Sequence, residues 1–212
     1  MQGVAALPAF LATLRRFYAA EAAADPEAAA ILEPVLRALS PVEAASHRPA
    51  RRLLPACALL PEALAAARRG PLAELAAAFE ALEPALQWIQ NPNYSDERMG
   101  AGYMAGYAYA NIVGPTGLLQ LSGLLTGLLI LGPGRTYPDH AHPAAEVYHV
   151  VAGTAEWRRE DGAWEPRAPG SRVVHRPWVR HATRTGRETL LAYYCWQGET
   201  ETYADLVPGP ET

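Results

Sequence analysis

His140 and His142 are separated by a single alanine, and Glu146 stands four residues beyond the second histidine. In an extended strand residues i and i+2 face the same side, so both imidazoles project into one space. Glu146 follows across a short turn at Pro143, on or near the next strand, where its carboxylate can close on the same point. Two imidazoles and a carboxylate form a ligand set for zinc, or for iron, manganese, cobalt or nickel. A fourth ligand is expected from a separate hairpin. His181 is the best candidate, at the start of a strand that follows Arg176-Pro177-Trp178, and His175, inside the run Val173-Val174-His175, is its rival. His149 directly follows Tyr148 and should face away from it, which makes it a core or supporting residue rather than a ligand.

The elements that must hold these residues differ between the two halves of the chain. From Leu7 to about Trp88 the sequence is rich in Ala, Leu, Glu and Arg, all strong helix formers. Asp25-Pro26-Glu27 is a helix start, with a capping carboxylate, a proline at the first position and an acid at the positive end of the dipole. Leu32, Val35, Leu36 and Leu39 then recur at helical spacing. Pro61 opens a helix through Arg69 that Gly70 can close. Pro71 opens a longer one through Leu75, Phe79, Leu82 and Leu86, which Pro84 should kink or shorten. After Asn91-Pro92-Asn93 the texture turns to tyrosine, glycine and short β-type runs. The segment holding Tyr103, Tyr107 and Tyr109 is ambiguous between helix and strand. Beyond it, the runs Leu124 to Leu131, Val147 to Ala152, Thr154 to Arg159, Ser171 to His175 and Thr189 to Trp196 are bounded by Gly, Pro or Asp, as in an antiparallel barrel or sandwich. The fold class is therefore α+β. An all-helical region over residues 1–90 packs directly on an antiparallel β-barrel over residues 91–212.

Composition excludes other chemistries. All 18 basic residues are arginine, so a P-loop lysine and lysine imine chemistry are both absent. A net charge of -4 argues against nucleic acid as a partner. Cys57 and Cys195 have no paired spacing and read as ordinary buried thiols. No basic segment precedes an apolar run at Met1-Gln2-Gly3, so a signal peptide is not supported and a cytoplasmic location is expected. The uncharged stretch Ile112 to Leu131 is broken by Pro115 and four glycines, and reads as two buried strands around a turn rather than a membrane span.

The frame Gly134, His140, His142, Glu146, Gly153 resembles the first signature motif of the cupins at every specified position. The second cupin motif is looser. Gly170 and His181 keep its outer spacing, while Arg176, Trp178 and Thr185 stand where proline, glycine and asparagine are usual. The run from Tyr137 through His149, preceded by helices and by Tyr107 to Pro115, resembles more narrowly the bacterial dimethylsulfoniopropionate (DMSP) lyases of the cupin, jelly-roll type fold. That resemblance implies one divalent metal ion, zinc, iron(II) or manganese, on His140, His142, Glu146 and His181. It also implies Tyr148 as the base that removes a proton, with Tyr137 as the second candidate.

The implied reaction is β-elimination of DMSP to acrylate and dimethyl sulfide. The metal would bind the substrate carboxylate and stabilise enolate charge, while favouring phenolate at Tyr148. Aromatic faces suit the departing sulfonium, and the available rings are Trp178, Tyr194 and Trp196, with Tyr103 and Tyr107 upstream. Trp178 is favoured because it neighbours His181. The expected partner is thus a small zwitterion or carboxylate. Cupins commonly pair, so the helical region is read either as a cover for the barrel mouth or as a homodimer contact. Two other readings share the ligand set: a different metallo-cupin enzyme, such as a dioxygenase or isomerase, and a non-catalytic cupin that only binds a small ligand.

Overall fold

The computed structural model describes residues 3–40, 42 and 44–208, so the outermost ends of both expected regions, the Met1-Gln2 start included, lie outside the described residues. Four helices open the chain: α1 Leu7–Ala24, α2 Pro26–Leu39, α3 Leu60–Ala67 and α4 Ala73–Leu82. Asp25 caps α2 as its sequence suggests, its carboxylate accepting from the backbone N–H of Glu27 at 2.7 Å and of Ala28 at 3.3 Å. Helix α4 ends at Leu82, and a single 3-10 turn over Glu83–Ala85 carries Pro84, which has no N–H to continue the α-helical ladder.

Eleven strands and two short helices follow: β1 Trp88–Ile89, α5 Asp96–Met99, α6 Tyr103–Gly106, β2 Tyr107–Val113, β3 Leu124–Leu131, β4 Thr136–Ala141, β5 Ala145–Ala152, β6 Ala155–Arg159, β7 Glu165–Arg167, β8 Arg172–His175, β9 His181–Thr185, β10 Leu190–Gln197 and β11 Asp205–Leu206. The ambiguous tyrosine segment is both things in turn, one helical turn and then a strand. All named pairings are antiparallel, in a six-stranded sheet of order β1-β2-β3-β10-β5-β8 and a five-stranded sheet of order β11-β4-β9-β6-β7. No strand pairing among the described residues joins the two. The expected antiparallel β region is thus present as two sheets that are not joined into a closed barrel. The motif glycines Gly134 and Gly153 flank strands at φ of +63° and +73°, the left-handed region where a side chain is strained.

Strand parity divides the core in two. On β10, Leu191, Tyr193 and Cys195 face the helices and share a cluster with Phe10, Leu14, Tyr18, Leu64 and Phe79, whereas Leu190, Ala192, Tyr194 and Trp196 face inward, between the sheets. Strand β5 repeats the division, with Val147 and Val151 toward the helices and Tyr148 and Val150 toward the interior. A sheet covered on both faces needs apolar residues at every position, which accounts for the continuous run of β3. One position there must be glycine: a Cβ on Gly127 would lie 1.9 Å from the Ala110 carbonyl oxygen and 2.9 Å from Tyr194 Oη. His149 has the helix-facing parity. It is buried against Phe17, ring centroids 4.7 Å apart, and its Nε2 meets Glu21 Oε2 at 3.1 Å, so it supports the helix–sheet contact rather than the site. Cys57 and Cys195 are free and buried. Among the described residues no helix is long and apolar enough to cross a membrane.

Candidate functional site

Every residue of the histidine cluster reaches the space between the sheets. His140 is the penultimate residue of β4, His142 lies in the turn to β5, Glu146 is the second residue of β5 and His181 opens β9, directly opposite His140 in the β4–β9 register. All four are buried. Each of the three imidazoles is oriented by a backbone carbonyl. His140 Nδ1–H donates to Pro138 O at 2.8 Å, His142 Nδ1–H to Ala144 O at 3.1 Å and His181 Nδ1–H to Val179 O at 2.8 Å. A carbonyl can only accept, so Nδ1 carries a proton in each ring, and in the neutral ring Nε2 presents a lone pair.

Two of those Nε2 atoms converge on a carboxylate. His142 Nε2 lies 3.2 Å and His181 Nε2 3.4 Å from Glu146 Oε2, and the candidate ligand atoms of these three residues all fall within 4.8 Å of one another. His140 stands beside this trio rather than in it. Its ring stacks on Tyr137, centroids 3.8 Å apart, and lies 4.0 Å from the ring of His181 and 6.4 Å from that of His142. Burial, then the neighbouring His181, pushes the His140 pKa well below the ordinary imidazole value. Burial pushes the Glu146 carboxyl up, but the surrounding imidazoles, His142 first, outweigh it and hold the group well below the usual carboxylate range.

His175, the rival fourth ligand, occupies a different place. It sits on β8 directly opposite Glu146 in the ladder, and its Nδ1 meets Glu146 Oε2 at 2.9 Å. Its ring stacks on His181 with centroids 3.8 Å apart. Burial, then His181, pushes its pKa down to about 3. The other carboxylate oxygen, Oε1, accepts from Trp196 Nε1 at 2.5 Å.

A cavity of about 270 Å³ lies against this cluster. Tyr107, Tyr137, Tyr148, Tyr194 and Trp196 are among its walls, so four named tyrosines and one tryptophan of the sequence reading are gathered there. Trp196 and Tyr137 connect it to the histidines, Trp196 stacking on His142 at 3.9 Å. Two expected wall residues are elsewhere. Tyr103 lies behind the wall, packed on Tyr107 at 5.1 Å. Trp178 is 65% exposed and does not line the cavity. Its φ of +63° turns the ring outward, at the position where the cupin motif has glycine, and only its backbone serves the site, the N–H donating to His142 O at 2.8 Å. Trp178→Gly is accordingly expected to leave steady-state kinetics within about twofold of the parent and to raise Tm by roughly 2–4 °C, because a left-handed residue with a side chain costs about 1 kcal/mol. A calorimetric scan beside a kinetic assay checks both halves.

Asn111 and Tyr94 were not singled out by the sequence reading. Asn111 Oδ1 accepts from Tyr194 Oη at 2.5 Å, while its Nδ2 donates to Thr116 Oγ1 at 2.8 Å, fixing the phenol in the wall. Tyr94 Oη lies 3.0 Å from Tyr137 Oη. For Asn111 a signal existed: Tyr107, Tyr109 and Asn111 alternate along β2 and line the same cavity. Helices α1 to α4 contribute nothing to its lining, so the helical region backs the six-stranded sheet and does not cover the mouth. The residues over the mouth instead come from the segment before β11, Thr200 to Ala204, tied down by Asn91 Nδ2 donating to Ala204 O at 2.9 Å.

Burial, then the Glu146 carboxylate, pushes the Tyr148 phenol well above its ordinary pKa, and burial, then Tyr94, does the same to Tyr137. The protein's own groups therefore keep both phenols neutral.

Residues 28–192 match the family described as dimethylsulfoniopropionate lyase. The dimethylsulfoniopropionate lyase DddQ of Ruegeria pomeroyi is 34% identical over 134 residues, which cover 63% of this chain and 65% of that protein. The crystal structure of DMSP lyase DddQ from the same species superposes with a TM-score of 0.69 at 28% identity, over 94% of this chain and 96% of that one. A structure described under DMSP lyases RdDddP and RnDddQII has the same fold, with a TM-score of 0.70 at 22% identity, over 97% of this chain and 100% of that one. With its matched span reaching from α2 into β10 and so containing the whole histidine cluster, the chain belongs to the dimethylsulfoniopropionate lyase family.

Proposed function

We propose that this chain is a metal-dependent carbon–sulfur lyase that splits DMSP into acrylate and dimethyl sulfide. One observation carries the metal: the Nε2 atoms of His142 and His181 face one carboxylate oxygen at 3.2 and 3.4 Å, with both Nδ1 atoms committed to backbone carbonyls. With both rings neutral these are three acceptors turned on one another, an arrangement that calls for a positive charge among them, and a divalent cation is a group that such a donor set fits. His142, Glu146 and His181 would hold it, with His140 alongside as the fourth ligand. Bound there, zinc, iron(II) or manganese supplies Lewis acidity toward the substrate carboxylate and favours ionisation of a nearby phenol.

The rest is work for the chain itself. Tyr148 shares the inward parity of Glu146 and lines the cavity, so its oxygen takes the proton from the carbon beside the substrate carboxylate. The C–H electrons become the new C=C bond, and the C–S pair leaves with dimethyl sulfide. Tyr137 is the second phenol, held by Tyr94. Tyr107, Tyr194 and Trp196 offer ring faces to the sulfonium without demanding a counter-charge.

The test is purified protein loaded separately with Mn(II), Zn(II) and Fe(II), its metal content measured, then given DMSP. Acrylate and headspace dimethyl sulfide are expected in equal amounts. Their absence from every metal-loaded form overturns the lyase reading and leaves a binding cupin or another metallo-cupin chemistry.

A further inference from the structure

We infer that His175 is a positioning residue for the metal centre, fixing the Glu146 carboxylate and the plane of the His181 ring without being a ligand itself. The inference rests on the metal reading above and adds to it a residue outside the two histidines, the glutamate and the distal histidine of the cupin frame.

Geometry carries it. Glu146 is 0% exposed, and both of its oxygens are held from the sheet that carries it. Trp196 Nε1 on β10 donates to Oε1, and His175 Nδ1 on β8 lies 2.9 Å from Oε2. An unprotonated Nδ1 would turn a lone pair on the carboxylate, so the proton is on Nδ1 and the ring donates. Strands β10 and β8 flank β5 on either side, so the carboxylate is clamped from both neighbours. The same His175 ring lies parallel to that of His181, 3.8 Å between centroids and 21° between planes, and His181 belongs to the opposite sheet. His175 thus touches one candidate ligand from each sheet. Its remaining nitrogen, Nε2, is buried with no hydrogen-bond partner. Packing alone would be served better by an apolar ring, which has no such atom to desolvate.

Residues that hydrogen-bond to metal ligands fix ligand orientation, and removing one typically weakens metal binding about 10–100-fold. The experiment compares His175→Phe, which keeps a ring against His181 but has no donor, with His175→Asn, whose side-chain N–H lies as many bonds from Cβ as Nδ1. His175→Leu is a second deletion, smaller than phenylalanine, should the larger ring prevent folding. Affinity for Zn(II) is read by competition with a chromogenic chelator, and the visible bands of the Co(II)-loaded proteins report ligand geometry. The expected result is Zn(II) affinity roughly 10–100-fold weaker in the Phe or Leu variant with shifted Co(II) bands, and parent-like bands with affinity within about threefold in the Asn variant. Parent-like affinity in the deletions overturns the role. So does equal weakening in the Asn and deletion variants, which would make the contact one of packing. A parent protein that binds neither metal fails the metal reading itself, a result distinct from either.

Discussion

Tyr148→Phe is expected to bind metal as the parent does and to lose about 10²- to 10⁴-fold in kcat, the usual contribution of a general base. The substitution removes one oxygen from the wall of the cavity and leaves the ring, so the packing against Trp157 and Tyr194 at about 6 Å between centroids persists. KM should change little, since the aromatic faces proposed for the sulfonium remain. The two candidate phenols are separable by their partners. Tyr137 Oη is paired with Tyr94 Oη, whereas the charge that adds most to burial in raising the Tyr148 pKa is that of Glu146 itself. A phenol next to a carboxylate is driven away from ionisation, and only a cation held by that carboxylate reverses the sign. Tyr148 is the one so placed, and Tyr137→Phe is therefore expected to cost less in kcat than Tyr148→Phe. Initial rates of dimethyl sulfide release at saturating metal decide it. Near-parental kcat in the Tyr148 variant together with a collapse in the Tyr137 variant would exchange the two roles.

Much of the site was legible because it is local. His140, His142 and Glu146 lie within seven residues, and the period of a strand is enough to turn the two histidines to one side. Strand runs between Gly, Pro and Asp were equally local, and the span Leu124 to Leu131 is β3 itself. The features that cannot be read this way depend on which strands become neighbours. His175 could be weighed only as a ligand, because its role as a donor to Glu146 follows from β8 lying beside β5 in register. The openness of the two sheets depends on which edges meet, and no run of residues encodes that by itself. Trp178 was misplaced for a backbone reason. Adjacency to His181 suggested a wall residue, but a left-handed φ sends its ring to solvent. The missing glycine of the second cupin motif was a usable clue, since glycine at such a position marks a turn that points a side chain away from the regular strand direction.

The same parity that builds the site explains why the helices do not enter it. A strand whose odd residues serve a helix-facing core and whose even residues serve a polar interior cannot slip by one position without exchanging the two sets. On β5 such a slip would put His149 where Tyr148 stands and carry Glu146 into the apolar contact with the helices. The contact of His149 with Glu21, and of Glu21 and Asp25 with Arg172, anchors that register from the helical side. The helical region thus bears on the site at a distance, by holding one sheet in the register that turns Glu146 and Tyr148 inward.

Glu146→Gln is expected to abolish both metal binding and turnover while leaving the metal-free protein as stable as the parent, or more so. Removal of a buried charge ordinarily destabilises when its partners are donors, since they are left unpaired. Here two of the three imidazoles facing Oε2, at 3.2 and 3.4 Å, have their Nδ1 protons used elsewhere and so present lone pairs when neutral. The two hydrogens of an amide nitrogen at the Oε2 position satisfy those two lone pairs and the amide oxygen at the Oε1 position still accepts from Trp196, so that only the His175 Nδ1 loses its partner. The site then closes on its own hydrogen bonds and has no negative charge left to hold a cation. In the parent, metal at about one hundred times its Kd adds roughly 2.7 kcal/mol, a rise of some 5–10 °C in Tm for a chain of this size. Thermal scans with and without Zn(II) or Mn(II) should show that rise in the parent and none in the Gln variant. A metal-dependent rise that survives the substitution would mean that the cation is held by the histidines alone, and a metal-free variant that melts well below the metal-free parent would mean that the carboxylate is held by protonated imidazoles rather than poised for a metal.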